Sequence, residues 1–138
     1  MKFIPSKEMK IDLFKEQEEL LCSKENIKKI ALIDKVLTFD IYHDNTLIGF
    51  AQMHEFEPKC FFLWNYAIDY HFQNKGLGYL ALNELLKFMK ENYNIKEMTT
   101  TYEYGNDHAK YIYEKAGFKE TDVVCEDGVH EVNMIYKY

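Results

Sequence analysis

The sequence predicts an α/β chain built on one central mixed sheet, mostly antiparallel, with helices on both faces. Three observations predict it. Runs of β-branched and aromatic residues alternate with turn signals over residues 36–69, as the strands of a meander do. A helical pattern over residues 77–92 then separates two strand-like runs, and a crossover of that length makes the flanking strands parallel. Glu126-Asp127-Gly128 between two further runs is a hairpin signal, so those runs pair antiparallel.

Each element has a local reason. Residues 2–4 read as a short strand that Pro5 ends. Ser6 is placed to cap a helix carrying Met9, Leu13, Phe14, Leu20 and Leu21 near one face. Ser23 caps a second, shorter helix with Ile27, Ile30 and Ala31 inward. Residues 36–42 and 47–56 read as paired strands joined by His43-Asp44-Asn45-Thr46, with Gly49 at a bulge. Residues 60–69 are apolar on both faces in most places, which fits a central strand. In the long helix, Leu77, Ala81, Leu85 and Phe88 mark one stripe, widened by Leu82, Leu86 and Met89. Residues 95–102 are a strand by β-branched and aromatic content. A short helix follows over residues 108–116, with Gly117 as its left-handed terminal residue. Residues 118–125 and 129–138 form the hairpin.

Length and composition narrow the class. The 138 residues fit a single domain, 1–138. Hydrophobic residues make up 47%, with 11 Tyr and 10 Phe, enough for one core. A net charge of −6 argues against nucleic acid or an anionic membrane as partner and leaves room for a cationic substrate. No apolar run approaches the roughly 20 residues of a membrane helix. Residues 1–10 alternate apolar and charged side chains and lack a signal-peptide core. Cys22, Cys60 and Cys125 are odd in number and widely spaced, which suits reduced thiols in the cytoplasm, with Cys60 as an inert buried thiol. His43, His71, His108 and His130 lack paired-ligand spacing, so no metal site is predicted.

The chemistry concentrates at Gln73-Asn74-Lys75-Gly76-Leu77-Gly78. A strand, a glycine-bearing turn and a helix N-terminus in that order make an anion cradle. The first N–H groups of a helix have no intrahelical partner, and glycine lets a phosphate approach the backbone. The turn therefore reads as the seat of a phosphate-bearing cofactor over residues 74–79; an ordinary tight turn is the alternative.

The turn gains meaning from Asn106, Ala109, Tyr113 and Gly117-Phe118, which lie about 30 residues on. Together with Gln73, Gly76 and Gly78, this set resembles the GNAT superfamily of acyl-CoA-dependent N-acetyltransferases. Ile68-Asp69 and Tyr113-Glu114-Lys115 with Gly117-Phe118 resemble its bacterial diamine and spermine/spermidine members. The resemblance implies the acyl-CoA N-acyltransferase fold and acetyl-CoA as cosubstrate. Its pyrophosphate would lie on the amides between Asn74 and Tyr79, with Gln73, Lys75, Gly76, Leu77 and Gly78 in the cofactor site. The pantetheine arm would pair against the main chain around Ile68 and meet Asn106. The strand bearing the second motif would splay from its parallel neighbour, and Tyr113 would face the sulfur.

Amine attack on a thioester needs a polarised carbonyl and a proton for the departing thiolate. A backbone N–H near Ile68 is the candidate polariser and Tyr113 the candidate general acid, while Tyr111 is read as packing. For the general base, some polyamine acetyltransferases carry a carboxylate nine residues before the position of Gln73; here that residue is Trp64. A water chain, Glu55, Glu57, His54 and Glu103 remain candidates, and Trp64 and Tyr66 are candidates to line the acceptor pocket. The leading reading is acetyl transfer to a small primary amine, a polyamine or diamine first. The alternatives are transfer to a protein amine and a non-catalytic acyl-CoA-binding module. The pocket is either open or completed by a second copy in a homodimer.

Overall fold

The structure, a computed structural model, describes residues 1–138. Seven strands form one sheet in the order β1-β2-β3-β4-β5-β7-β6. They are β1 (Lys2–Pro5), β2 (Val36–His43), β3 (Thr46–Glu57), β4 (Cys60–Ile68), β5 (Glu97–Glu103), β6 (Lys119–Glu126) and β7 (Val129–Lys137). The helices are α1 (Lys15–Glu18), α2 (Lys24–Ala31), α3 (Leu77–Tyr93) and α4 (Asp107–Ala116), with one 3-10 turn at Tyr70–Phe72. β4 and β5 are parallel, as the crossover through α3 requires, and every other neighbouring pair is antiparallel. The last hairpin turns through Asp127 and Gly128, both at positive φ (47° and 80°), the geometry of a two-residue primed turn.

The two faces of the sheet are covered unequally. α3 and α4 pack on one face, where Ile41, Met53, Leu63, Leu82, Leu85, Met98 and Met134 are all buried. On the other face, the chain around residues 9–27 covers only β2, β3 and β4. Met9, Ile11, Leu13 and Ile27 pack there against Phe50. Beyond β4 that second face stays open, and Thr99, Thr101 and Asn133 are partly exposed on it.

The first predicted helix is corrected. Residues 6–14 are not helical, and α1 is a single turn that starts after Phe14, not after Ser6. Met9 and Leu13 lie four apart, a spacing that fits both a helix and an extended chain. Ile11, 1% exposed between them, breaks the tie, because burial at every second residue is a strand-like period. The second helix matches its expectation: the Ser23 side chain accepts from the Asn26 N–H at 3.1 Å, and Ile27 and Ile30 are buried.

A buried polar chain fastens the two layers. Asn65 on β4 donates to Gln52 Oε1 at 3.0 Å. Gln52 Nε2 donates onward to Thr38 Oγ1 and to the Ile27 carbonyl, each at 3.1 Å. Asn65 Oδ1 accepts the Cys22 N–H at 3.1 Å. Both amides use their donor and acceptor ends, so the chain costs little despite its burial and ties the segment around Cys22 to the central strand.

Candidate active site

The turn between β4 and α3 is built from backbone geometry. Asn74 and Gly76 both hold positive φ (62° and 76°), and Gly76 is the N-cap of α3. No side chain caps the helix, so the N–H groups of its first turn stay free for a ligand. A left-handed cap is easiest for glycine. Gly78 has a different reason: a Cβ there would lie 3.2 Å from Ile112, so its absence lets α4 close on α3.

The turn is braced from below. Gln73 Nε2 donates to the Ile68 carbonyl at 2.8 Å and to Gln17 Oε1 at 2.7 Å. Asp69 accepts from the N–H groups of Asp12 and His71, each at 2.9 Å, and pairs with the His71 ring at 2.8 Å. Burial pushes the Asp69 carboxyl up, but these bonds outweigh it and hold it below the usual carboxylate range. Asp12, Asp69 and His71 present ligand atoms within 4.8 Å of one another. Their sequence positions gave no such grouping. The contacts they make brace the turn.

A slot opens beside it. The β4–β5 ladder contains three pairs, Cys60↔Glu97, Phe61↔Met98 and Phe62↔Thr99, and then ends. Beyond it the Thr100 hydroxyl reaches across to the Leu63 carbonyl at 3.2 Å. The Asp69 N–H donates to Ile48 on β3, so the preceding main-chain groups, those of Ile68, face the slot. The Ile68 carbonyl is occupied by Gln73, which leaves its N–H as the group open to a ligand.

Two phenols face the slot from the helical side. Tyr113 on α4 is 9% exposed and packs edge-on against Phe118. Burial pushes its phenol up, and the Thr100 hydroxyl beside it pulls it part of the way back. It therefore keeps its proton at neutral pH, as a donor to a thiolate must. Tyr66 donates to the Gly78 carbonyl in the first turn of α3, and its phenol is raised by burial and by Tyr113 beside it. Tyr66, considered for an acceptor pocket, thus points toward the cradle. Asn106 caps α4, its Oδ1 accepting the Ala109 N–H at 3.2 Å. Its amide nitrogen is left available.

Trp64 is the extra residue of a β-bulge. Gln52 pairs with Asn65 and Met53 with Leu63, and Trp64 falls between them. It is 38% exposed and lies near the rings of His54 and Phe62. Of the four candidate bases, His54 sits beside this bulge. Glu55 and Glu57 are opposite Phe61 and Cys60, at the far end of β4. Glu103 ends β5 opposite Glu131. Lys75 lies over the Phe72 ring, 5.7 Å from its centroid. Sequence reading missed Lys115, whose ammonium sits 4.5 Å from the Tyr79 ring and adds a second cation beside the cradle. It missed Thr100 as well, because a central-strand threonine carries no signal of its own.

A bare anion cradle, a splayed parallel pair and a buried phenol beside them could hold a long phosphate-bearing ligand with a reactive end in the slot. The acetyltransferase (GNAT) family profile matches residues 7–118, and the chain belongs to that family. A probable spermine N(1)-acetyltransferase from Bacillus subtilis subsp. natto is 31% identical over 86 residues. That match spans 57% of this chain and 57% of the relative, so just over half of either is compared. Among solved structures, a GNAT family acetyltransferase from Elizabethkingia anophelis with acetyl-CoA bound superposes with a TM-score of 0.73 at 18% identity. The match covers 99% of this chain and 97% of that one. A mutant of the spermidine N-acetyltransferase SpeG from Vibrio cholerae gives 0.70 at 19% identity, over 83% and 72% of the two chains. At these identities the structural likeness establishes the GNAT fold, including its seven-stranded mixed sheet. No helix is long and apolar enough to cross a membrane.

Proposed function

We propose that this chain transfers an acetyl group from acetyl-CoA to a primary amine, a small diamine or polyamine first, by direct attack on the thioester. One observation supports the reading: Tyr66 donates to the Gly78 carbonyl in the uncapped first turn of α3 and lies beside the buried Tyr113 phenol. A cofactor with phosphates at one end and a thioester at the other fits that arrangement.

The chain's residues then have roles. The amides between Asn74 and Tyr79 hold the pyrophosphate, with Lys75 and Lys115 adding positive charge. The Ile68 N–H and the Asn106 amide nitrogen bind the pantetheine arm. The amine nitrogen forms a bond to the carbonyl carbon and the carbon–sulfur bond breaks. The thiolate takes the Tyr113 proton, the attacking nitrogen gives one up to water, and Tyr113 is reprotonated from solvent. Trp64 carries no acid–base group, so the amine is expected to arrive neutral or to lose its proton to solvent. The net charge of −6 and the polyamine acetyltransferase relative favour a cationic acceptor. Three free thiols, Cys22, Cys60 and Cys125, suit a reducing cytoplasm.

The test is thiol release from acetyl-CoA against a panel of polyamines, amino acids, aminoglycosides and peptides. Release with diamines or polyamines supports the reading. Release with peptides alone moves the acceptor to a protein amine. Calorimetric binding of CoA with no release from any amine makes the chain a non-catalytic acyl-CoA-binding module.

A further inference from the structure

The open face of the sheet holds a cavity of about 270 Å³ at the foot of the slot. Its walls include Phe62 and Thr99, the last pair before β4 and β5 part, together with Thr101, Thr121, Asp122 and Asn133. Thr100 is shared: it lines the cavity, and its hydroxyl, which donates to the Leu63 carbonyl, lies beside Tyr113 on the opposite face. The cavity and the proton donor therefore lie on either side of one residue.

The single charged group in the cavity wall is placed by an irregularity. Glu120 pairs with Met134 and Asp122 with Asn133, which leaves Thr121 as an extra residue in β6. Strict alternation would turn Asp122 to the same side as Glu120, whose carboxylate accepts from Tyr102 on the helical side. The bulge instead brings Thr121 and Asp122 together onto the cavity wall. The carboxylate is then held from both sides. Asn133 Nδ2 donates to its two oxygens, each at 3.3 Å, and Thr121 Oγ1 donates to Oδ1 at 2.9 Å. Thr101 completes the chain by donating to Asn133 Oδ1 at 2.7 Å. Asp122 is exposed at the rim of the cavity, and a hydrogen-bonded carboxylate there with spare lone pairs, beside an aromatic ring and hydroxyls, suits an alkylammonium group.

We propose that this cavity receives the acceptor and that Asp122 binds its second, non-reacting ammonium, making the site selective for diamines over monoamines. The proposal rests on the acetyl-transfer reading above. The reacting nitrogen lies toward Thr100 and the slot, and the distal ammonium lies against Asp122. One step further along the same face, Glu103 stands opposite Glu131, a like-charged cross-strand pair that favours a cationic chain passing over it.

The experiment compares kcat/KM for 1,4-diaminobutane and for butylamine in the wild type, Asp122→Asn and Thr101→Val, each at saturating acetyl-CoA. The ratio within one variant is insensitive to the fraction folded. Losing one solvent-exposed charge contact lowers the diamine-to-monoamine ratio by about threefold in Asp122→Asn. Thr101→Val, which removes no charge, lowers both rates together. A ratio unchanged in Asp122→Asn overturns the proposal. If the wild type releases thiol with no amine, the transfer reading fails, and the cavity is tested by amide shifts on titration with 1,4-diaminobutane. Shifts at Thr121 and Asn133 that vanish in Asp122→Asn uphold the ammonium site, and their absence in the wild type refutes it.

Discussion

Replacing Tyr113 by Phe separates chemistry from folding in this site. The ring fills the same space, buried against Phe118, so the packing of α4 on the sheet survives. What is lost is one hydroxyl and its polar contact with Thr100. A contact of that kind is worth at most about 1 kcal/mol, and Thr100 keeps its own bond to the Leu63 carbonyl. For a chain of this length that lowers the melting temperature by only about 3 °C. The catalytic loss is of another order. Removing a general acid costs on the order of 10²–10⁴ in rate. The assay is thiol release at saturating acetyl-CoA and amine, with circular-dichroism melting on the same preparation. The expected result is kcat down at least about a hundredfold, KM for acetyl-CoA within about threefold and a small thermal shift. Full turnover in the variant refutes the assignment of Tyr113 as proton donor. A kcat that falls only in step with lost folded protein refutes it equally.

Three further outcomes follow from the same geometry. Gly76→Ala meets no atom within 4 Å, but its φ of 76° strains any residue with a Cβ. Calorimetry should show CoA binding weakened about tenfold, with a stability loss of about 1–2 kcal/mol. Asn106→Asp keeps the Oδ1 cap on Ala109 and removes the free amide donor, whereas Asn106→Ala removes both. Melting should therefore drop by about 3 °C in the Ala variant alone, while KM for acetyl-CoA rises in both. Stability should also fall in alkali. Burial raises the phenols of Tyr66, Tyr113 and Tyr138, and burial with the bond to Glu120 pushes Tyr102 up to about 12. Unfolded tyrosine loses its proton near pH 10 while these keep theirs, so stability is whole below about pH 10 and drains as pH rises toward 12. The urea midpoint should fall between pH 9 and pH 11.5.

The half of the site proposed for the cofactor is legible because local backbone chemistry writes its geometry. Gly76 marks a left-handed cap, Gly78 a close helix approach, and Asn106 and Gly117 the two ends of α4. Each signal lies within a few residues of the structure it specifies. The N-terminal helix failed for the opposite reason: Met9 and Leu13 satisfy two periods, and the choice depends on a groove formed by Phe50, about 40 residues away. Trp64 was placed correctly on β4, but no composition signal shows that it is a bulge residue rather than a core one.

The side proposed for the acceptor is written in register, which explains its silence in the sequence. A one-residue bulge reverses which side chains face the cavity, and neither Trp64 nor Thr121 belongs to a type that advertises a bulge. Asp122 looks like any surface carboxylate until the bulge turns it beside Asn133. The same logic separates what can change from what cannot. Moving Gly76 destroys a backbone conformation that the phosphate cradle needs. Shifting a bulge in β6 only re-aims side chains on the part of that face beyond β4, which no helix covers, and leaves the core of Met98, Val132 and Met134 on the other face intact. On the proposed reading, the fold keeps its cofactor end fixed by dihedral angles and its amine end adjustable through strand register.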